Sequence, residues 1–159
     1  MTRNRQRGAT TVEFAIIGLL AMIVMLSLIE FSRLVFTLNA LNEATRRGAR
    51  MATVCPLNDP AIAQVAVFNA PGGGGASPIL NSLTPGNVVV EYLNQAGAPI
   101  GAPAGNFAQI RFVRVRIANL THRLLIPLFD VTFTLPQYPT ILPRESLGIP
   151  RVGAGPLPC

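Results

Sequence analysis

Hydrophobic positions run without a charged residue from Phe14 to Ile29. Extended back to Ala9, the run is interrupted only by Glu13. As a helix this stretch covers about 32 Å, close to the roughly 30 Å of a bilayer core, which predicts a transmembrane helix over 9–30. A cleavable secretory signal is the rival reading. Its apolar stretch is shorter, roughly 7–15 residues, and ends at a small-residue cleavage site. Here the run leads into Glu30-Phe31-Ser32-Arg33 with the helical pattern unbroken, which favours a retained anchor. Leu34, Leu38, Leu41 and Thr45 recur at helical spacing. Ala40, Ala44, Gly48 and Ala52, at i, i+4, i+8 and i+12, form a stripe of small residues where another element can approach closely. Glu43 and Arg47 are an i,i+4 pair in the favourable orientation. Cys55-Pro56 marks the end, because the residue before proline avoids the helical region. One helix from Ala9 to Val54 is about 69 Å long. Residues 31–54 are therefore expected outside the membrane, with one face packed on a domain. A break near Glu30–Ser32, giving two helices, is the alternative.

The pattern changes after Pro56. Residues 55–87 read as a loop punctuated by Pro56, Pro60, Pro71, Pro78 and Pro85, with a short helix near 61–69. Gly72 to Gly75 form a run, but neither a following Gly-Lys-Ser/Thr nor a strand–turn–helix context supports a phosphate cradle. From residue 88 to 145 the chain reads as antiparallel β. Val88–Leu93 is β-branched and aromatic. Phe107–Leu120 is expected as one long strand, and the change of phase between Ile110/Phe112 and Val113/Val115/Ile117 suggests a β-bulge. Arg114 and Arg116 then line its solvent face. Pro127 interrupts the segment 122–130. Val131–Leu135 and Thr140–Ile141 complete the strands, and 146–159 is an irregular Pro/Gly-rich tail. The fold class is α+β: one long N-terminal helix packed on a small antiparallel sheet.

Composition sharpens the membrane reading. Half of the residues are hydrophobic and only 13% are charged, too apolar a balance for a wholly water-exposed domain. The net charge of +6 raises the question of nucleic acid, but the distribution argues against it. Arg3, Arg5 and Arg7 precede the apolar run, where a positive-inside signal belongs. Arg46, Arg47 and Arg50 lie near a helix C-terminus, where they complement its dipole. No tryptophan is present to stack on bases.

The N-terminal residues carry the most specific signal. Basic residues end at Gly8, a small residue follows, Glu13 sits five residues after the glycine, and Phe14 follows it. A carboxylate at the centre of a transmembrane segment costs about 2.5–3.5 kcal/mol on insertion scales, so a partner is expected. A cut after Gly8 makes Ala9 a new amino terminus, with Glu13 as the fifth residue and roughly 6 Å along the axis from the new amine. In an array of such helices that amine meets the carboxylate of its own or a neighbouring chain. The bland alternative is a carboxylate near the headgroups that snorkels to water. The combined pattern favours a pilin-type processing site at Gly8–Ala9, recognised through Glu13 and Phe14.

Arg7-Gly8-Ala9-Thr10-Thr11-Val12-Glu13-Phe14-Ala15, Ile29-Glu30-Phe31-Ser32-Arg33-Leu34 and Asn42-Glu43-Ala44-Thr45-Arg46-Arg47-Gly48-Ala49-Arg50 together resemble the TadE-like family of Flp (Tad) pilus assembly proteins. The resemblance is specific over 7–52 and weaker over 107–148. It implies a pilin-like fold and a minor pilin, or pseudopilin, needed for pilus biogenesis and adhesion. It further implies a cytoplasmic leader, 1–8, removed by a prepilin peptidase in the bacterial inner membrane, and a periplasmic or extracellular C-terminal part. Expected partners are other pilins (a TadF-like partner and the Flp major pilin), inner-membrane platform proteins and a secretion-type ATPase. A major Flp pilin is much shorter and lacks a β-domain, so the main filament subunit is not expected. The alternative is an uncleaved, signal-anchored periplasmic interaction domain.

Cys55 and Cys159 are candidates for a disulfide in an oxidising compartment. Free thiols or a bridge to a partner are the alternatives. His122 is the only histidine, so a histidine metal cluster is not available. Asp59, Glu91, Asp130 and Glu145 are scattered singly. No enzyme, cofactor, metal or small-molecule substrate is expected.

Overall fold

The computed structural model describes residues 3–125, 131–149 and 159, with side chains from residue 8 onward. Helix α1 runs unbroken over Arg3–Val54. The chain divides into two compact units, Met1–Phe36 with Arg123–Thr132, and Thr37–His122 with Phe133–Cys159.

In the second unit, Thr37–Val54 of α1 packs on a three-stranded antiparallel sheet. Its strands are β1 (Val88–Leu93), β2 (Phe112–Ile117) and β5 (Thr140–Pro143), in the order β1-β2-β5. The register pairs Val90 with Val115 and Tyr92 with Val113, then Val113 with Leu142. Alternation along β2 buries Val113, Val115 and Ile117 and leaves Phe112, Arg114 and Arg116 partly exposed. Val113 and Val115 cluster with Ala49 and Ala52 of α1 and Cys55 just beyond it, together with Ile62, Tyr92, Ile110 and Leu147. A hydroxyl contact adds to the helix–sheet interface: Thr140 Oγ1 donates to Thr45 Oγ1 at 3.0 Å. Thr45 Oγ1 itself donates to the Asn42 carbonyl at 2.9 Å.

Helix α2, Pro60–Ala66, starts at Asp59, whose carboxylate accepts the Ala61 N–H at 2.8 Å. Proline at its first position suits a helix start, because that N–H has no intrahelical partner. Ala66 closes on α1 at Gly48. A Cβ built on Gly48 would stand 2.9 Å from Ala66 Cβ and 3.1 Å from Val115 Cγ1. Ala44 and Ala52 on the same stripe are fully buried, and Ala40 is half-buried. Small residues at these positions let α2 and β2 approach the helix backbone. Gly48→Val is expected to destabilise this unit by about 3 kcal/mol, the upper end of overpacking costs, read by thermal unfolding of the detergent-extracted protein. An unchanged midpoint would remove the case for a close-packed stripe.

The end of α1 is held by a segment distant in sequence. The last carbonyls of a helix have no partner within it. Here Thr53 O accepts the N–H groups of Glu145 (3.2 Å) and Leu147 (3.1 Å), and Val54 O accepts Gly148 N–H (2.6 Å) and Ser146 Oγ (3.1 Å). Gly148 has φ +78°, and a Cβ there would lie 2.6 Å from Pro56 Cγ, so both conformation and space call for glycine. Cys55 and Cys159 are disulfide-bonded, with Cα atoms 5.8 Å apart.

Three expectations are corrected. Phe107–Gln109 is a 3-10 turn and the strand begins only at Phe112, so the long strand from 107 and its bulge are absent. Ile110 is buried from a turn, and that accounts for the change of phase. Arg114 and Arg116 are not simply solvated, because both meet Glu91 on β1. The short helix ends at Ala66, before the expected 69, since Val67 and Phe68 turn away, the latter with φ 66°. Strands β3 (Thr121–Arg123) and β4 (Thr132–Thr134) form a separate two-stranded sheet. Its ends carry Leu135 N–H to Leu120 O and Leu124 N–H to Val131 O, each 2.9 Å. Pro127, Asp130 and the tail from 150 to 158 lie outside the described residues.

Candidate functional site

Gly8, Ala9, Glu13 and Phe14 all lie on α1 and are exposed, Phe14 to 76%. A Cβ at Gly8 would meet nothing within 4 Å. Most of the apolar residues beyond it are exposed. Ile17, Leu19, Leu20, Met22, Val24, Leu28 and Phe31 are each more than half exposed. The 18-residue window of highest hydropathy averages 2.6 and none of it is buried within the protein. An apolar helix so little covered by the described residues is a surface made for lipid or for other helices.

The same unit holds one buried side chain among the described residues of 8–36, and it is charged. Glu30, at the end of the apolar run, is 6% exposed. Arg33 Nη1 donates to both of its oxygens, at 2.7 and 2.8 Å. The backbone N–H of Leu125 donates to Glu30 Oε2 at 3.2 Å. A buried carboxylate is tolerated when it is paired and hydrogen-bonded in this way. The i,i+3 spacing of Glu30 and Arg33 was open to inspection in the sequence. The Leu125 contact, 95 residues away, carried no local signal.

The second unit holds the small-residue stripe, the Cys55–Cys159 pair and a cross-strand charge cluster. Arg114 Nε lies 2.6 Å from Glu91 Oε2, and Arg116 Nε lies 3.5 Å from the same oxygen. Partial burial pushes the Glu91 pKa up. The hydrogen bonds and positive charges of Arg114 and Arg116 outweigh it and leave the carboxyl below its ordinary value. Tyr92 moves the other way. Burial raises its pKa, with a smaller push from Asp59, against the Asn58 N–H that donates to its hydroxyl at 3.0 Å. The glycine run 72–75 forms a turn in which Gly72 N–H donates to Gln64 Oε1. Glu43 pairs with Arg47 at 3.0 Å, and Arg47 also lies over the Phe68 ring at 4.9 Å.

Residues 8–50 match the family described as TadE-like protein. Over that stretch, this chain is similar to that family. The matched region begins at Gly8 and ends within α1, so it covers the bare apolar surface, Glu13, the Glu30–Arg33 pair and most of the small-residue stripe. No curated protein and no solved structure matches the chain. The matched segment contains the helix that, among the described residues, is long and apolar enough to cross a membrane.

Proposed function

We propose that this chain is a minor pilin of the Tad (Flp) pilus assembly machinery, cut between Gly8 and Ala9 by a prepilin peptidase. The observation that carries the reading is the agreement of two boundaries. The TadE-like match starts at Gly8, and Glu13 lies five residues on, on a stretch of helix that is exposed in the structure. The three arginines of 1–8 hold the N-terminus in the cytoplasm until cleavage, by the positive-inside rule. The part beyond the bilayer is then periplasmic, which is also where Cys55 and Cys159 can stay oxidised. After cleavage the Ala9 amine and the Glu13 carboxylate meet between neighbouring helices, and the bare helix becomes a packing surface among other pilins. The work of the protein is structural: it contributes to pilus biogenesis, and thereby to adhesion, through contacts with pilin partners and platform proteins.

The intact mass of the membrane-extracted protein tests this reading. A chain beginning at Ala9 is expected. A chain that retains Met1, or one cut near Glu30, would overturn it.

A further inference from the structure

We propose that the paired strand ends carrying Leu124, Leu125 and Val131 are a second membrane contact, seated at the lipid–water boundary beside α1. The inference rests on the reading of α1 as a membrane anchor. Its starting point is depth. The Leu125 N–H is bonded to Glu30 Oε2, and Glu30 closes the uncharged stretch that begins at Phe14. The segment is thus held at the level where the helix leaves the hydrocarbon. Its side chains suit that level. Leu125 is 63% exposed and Val131 46%. On the helix at the same height Leu28, Ile29 and Phe31 are each more than half exposed. The exposed apolar residues of the hairpin therefore lie at the same height as those of the anchor, and the occupant that covers both is the bilayer.

The charges are arranged for the same place. Glu30 would be costly at the edge of the hydrocarbon, but Arg33 and the Leu125 amide neutralise and solvate it. Arg33 keeps 42% of its side chain exposed, which lets the guanidinium reach headgroup phosphates while its stem lies along apolar surface. The hydrogen bond between Leu124 N–H and Val131 O closes the hairpin backbone. That leaves fewer unpaired polar groups to carry into the interface. The consequence is a fixed seating: a helix alone can slide and rotate in lipid, whereas a helix with a lateral apolar foot has one preferred depth and azimuth.

The protein lacks tryptophan, so a single introduced indole reports without background. The full chain carrying Leu125→Trp, and separately Val131→Trp, is reconstituted into vesicles of phosphatidylcholine and phosphatidylglycerol. Lipids brominated near the top of the acyl chain serve as the quencher. Leu20→Trp, within the anchor, and Gln95→Trp, in an exposed turn, are the references. The hairpin reporters are expected to show blue-shifted emission and strong quenching by the brominated lipid, with Gln95→Trp unquenched. If Leu20→Trp is quenched and both hairpin reporters stay red-shifted, the hairpin proposal is overturned and the anchor stands. Blue-shifted reporters that ignore brominated lipid, and whose shift disappears on dilution of the protein in the bilayer, would assign this surface to a second copy and overturn it too. If Leu20→Trp is itself unquenched, the anchor reading fails, and the hairpin proposal falls with it.

Discussion

Glu13→Ala is expected to leave the protein in the membrane and to remove it from the pilus. Removing a carboxylate from an apolar helix relieves an insertion cost of about 2.5–3.5 kcal/mol at the bilayer centre, so the membrane fraction should keep its full amount of protein. Assembly runs the other way. In a packed array of helices the Ala9 amine, created by cleavage, would lose the anion that compensates it in a low-dielectric environment. A buried charge left alone costs several kcal/mol. A penalty of about 3 kcal/mol lowers incorporation roughly a hundredfold. Immunoblots of sheared pili and of membranes, compared for the wild type, Glu13→Ala and Glu13→Asp, provide the measurement. Asp should retain part of the function, since it keeps the charge on a shorter stem. Equal incorporation of all three would remove the amine–carboxylate pairing from the proposal.

Replacing Cys55 and Cys159 together by alanine is expected to produce the largest loss of stability. The bridge spans 104 positions, and in the chain-entropy model closing a loop of about 100 residues contributes about 4.7 kcal/mol. Cys55 is fully buried in the cluster that includes Ala52, Ile62 and Leu147, so the substitution also removes packing atoms. Leu147 and Gly148 donate to the last carbonyls of α1, and their positions depend on the chain returning to the same place. At roughly 4–8 °C per kcal/mol for a domain near 100 residues, the unfolding midpoint should fall by about 20 °C or more. Adding a reductant to the wild type should reproduce most of that fall. A midpoint indifferent to both treatments would show that packing alone closes the domain.

What the sequence revealed and what it concealed divide along the range of the interactions. The helix was legible because its signals are local: an uncharged run, leucines at helical spacing, small residues every fourth position, and a proline to stop it. The small-residue stripe was legible as a face, although its occupants, Ala66 and Val115, were not. Strands β1 and β5 could be placed from composition. The turn at Phe107–Gln109 could not, because a buried Ile110 looks the same whether a strand or a turn delivers it to the core. The Glu91 cluster escaped for a related reason. Opposite charges on β1 and β2 become partners only once the register places Glu91 against Arg114. The proposed processing residues Gly8, Ala9, Glu13 and Phe14 stand out only as a spacing, and the described residues set no tertiary contact beside them against which to read it. The hydrogen bond to Glu30 and the capping of α1 by 145–148 join positions roughly a hundred residues apart. No pattern along the chain foretells such pairs.

The disulfide also governs how the protein meets proteases. Every strand lies between Cys55 and Cys159, so 55–159 forms a covalent ring attached to α1 through Cys55. A single cut anywhere in that ring, including the exposed glycine turn at 72–75, opens the ring but releases nothing. Both pieces stay joined through the sulfur atoms and remain attached to the helix. Releasing the domain from the helix would need two cuts within the ring, one cut in the helix, or one cut together with reduction. A nicked chain therefore stays attached to its helix as one covalent unit.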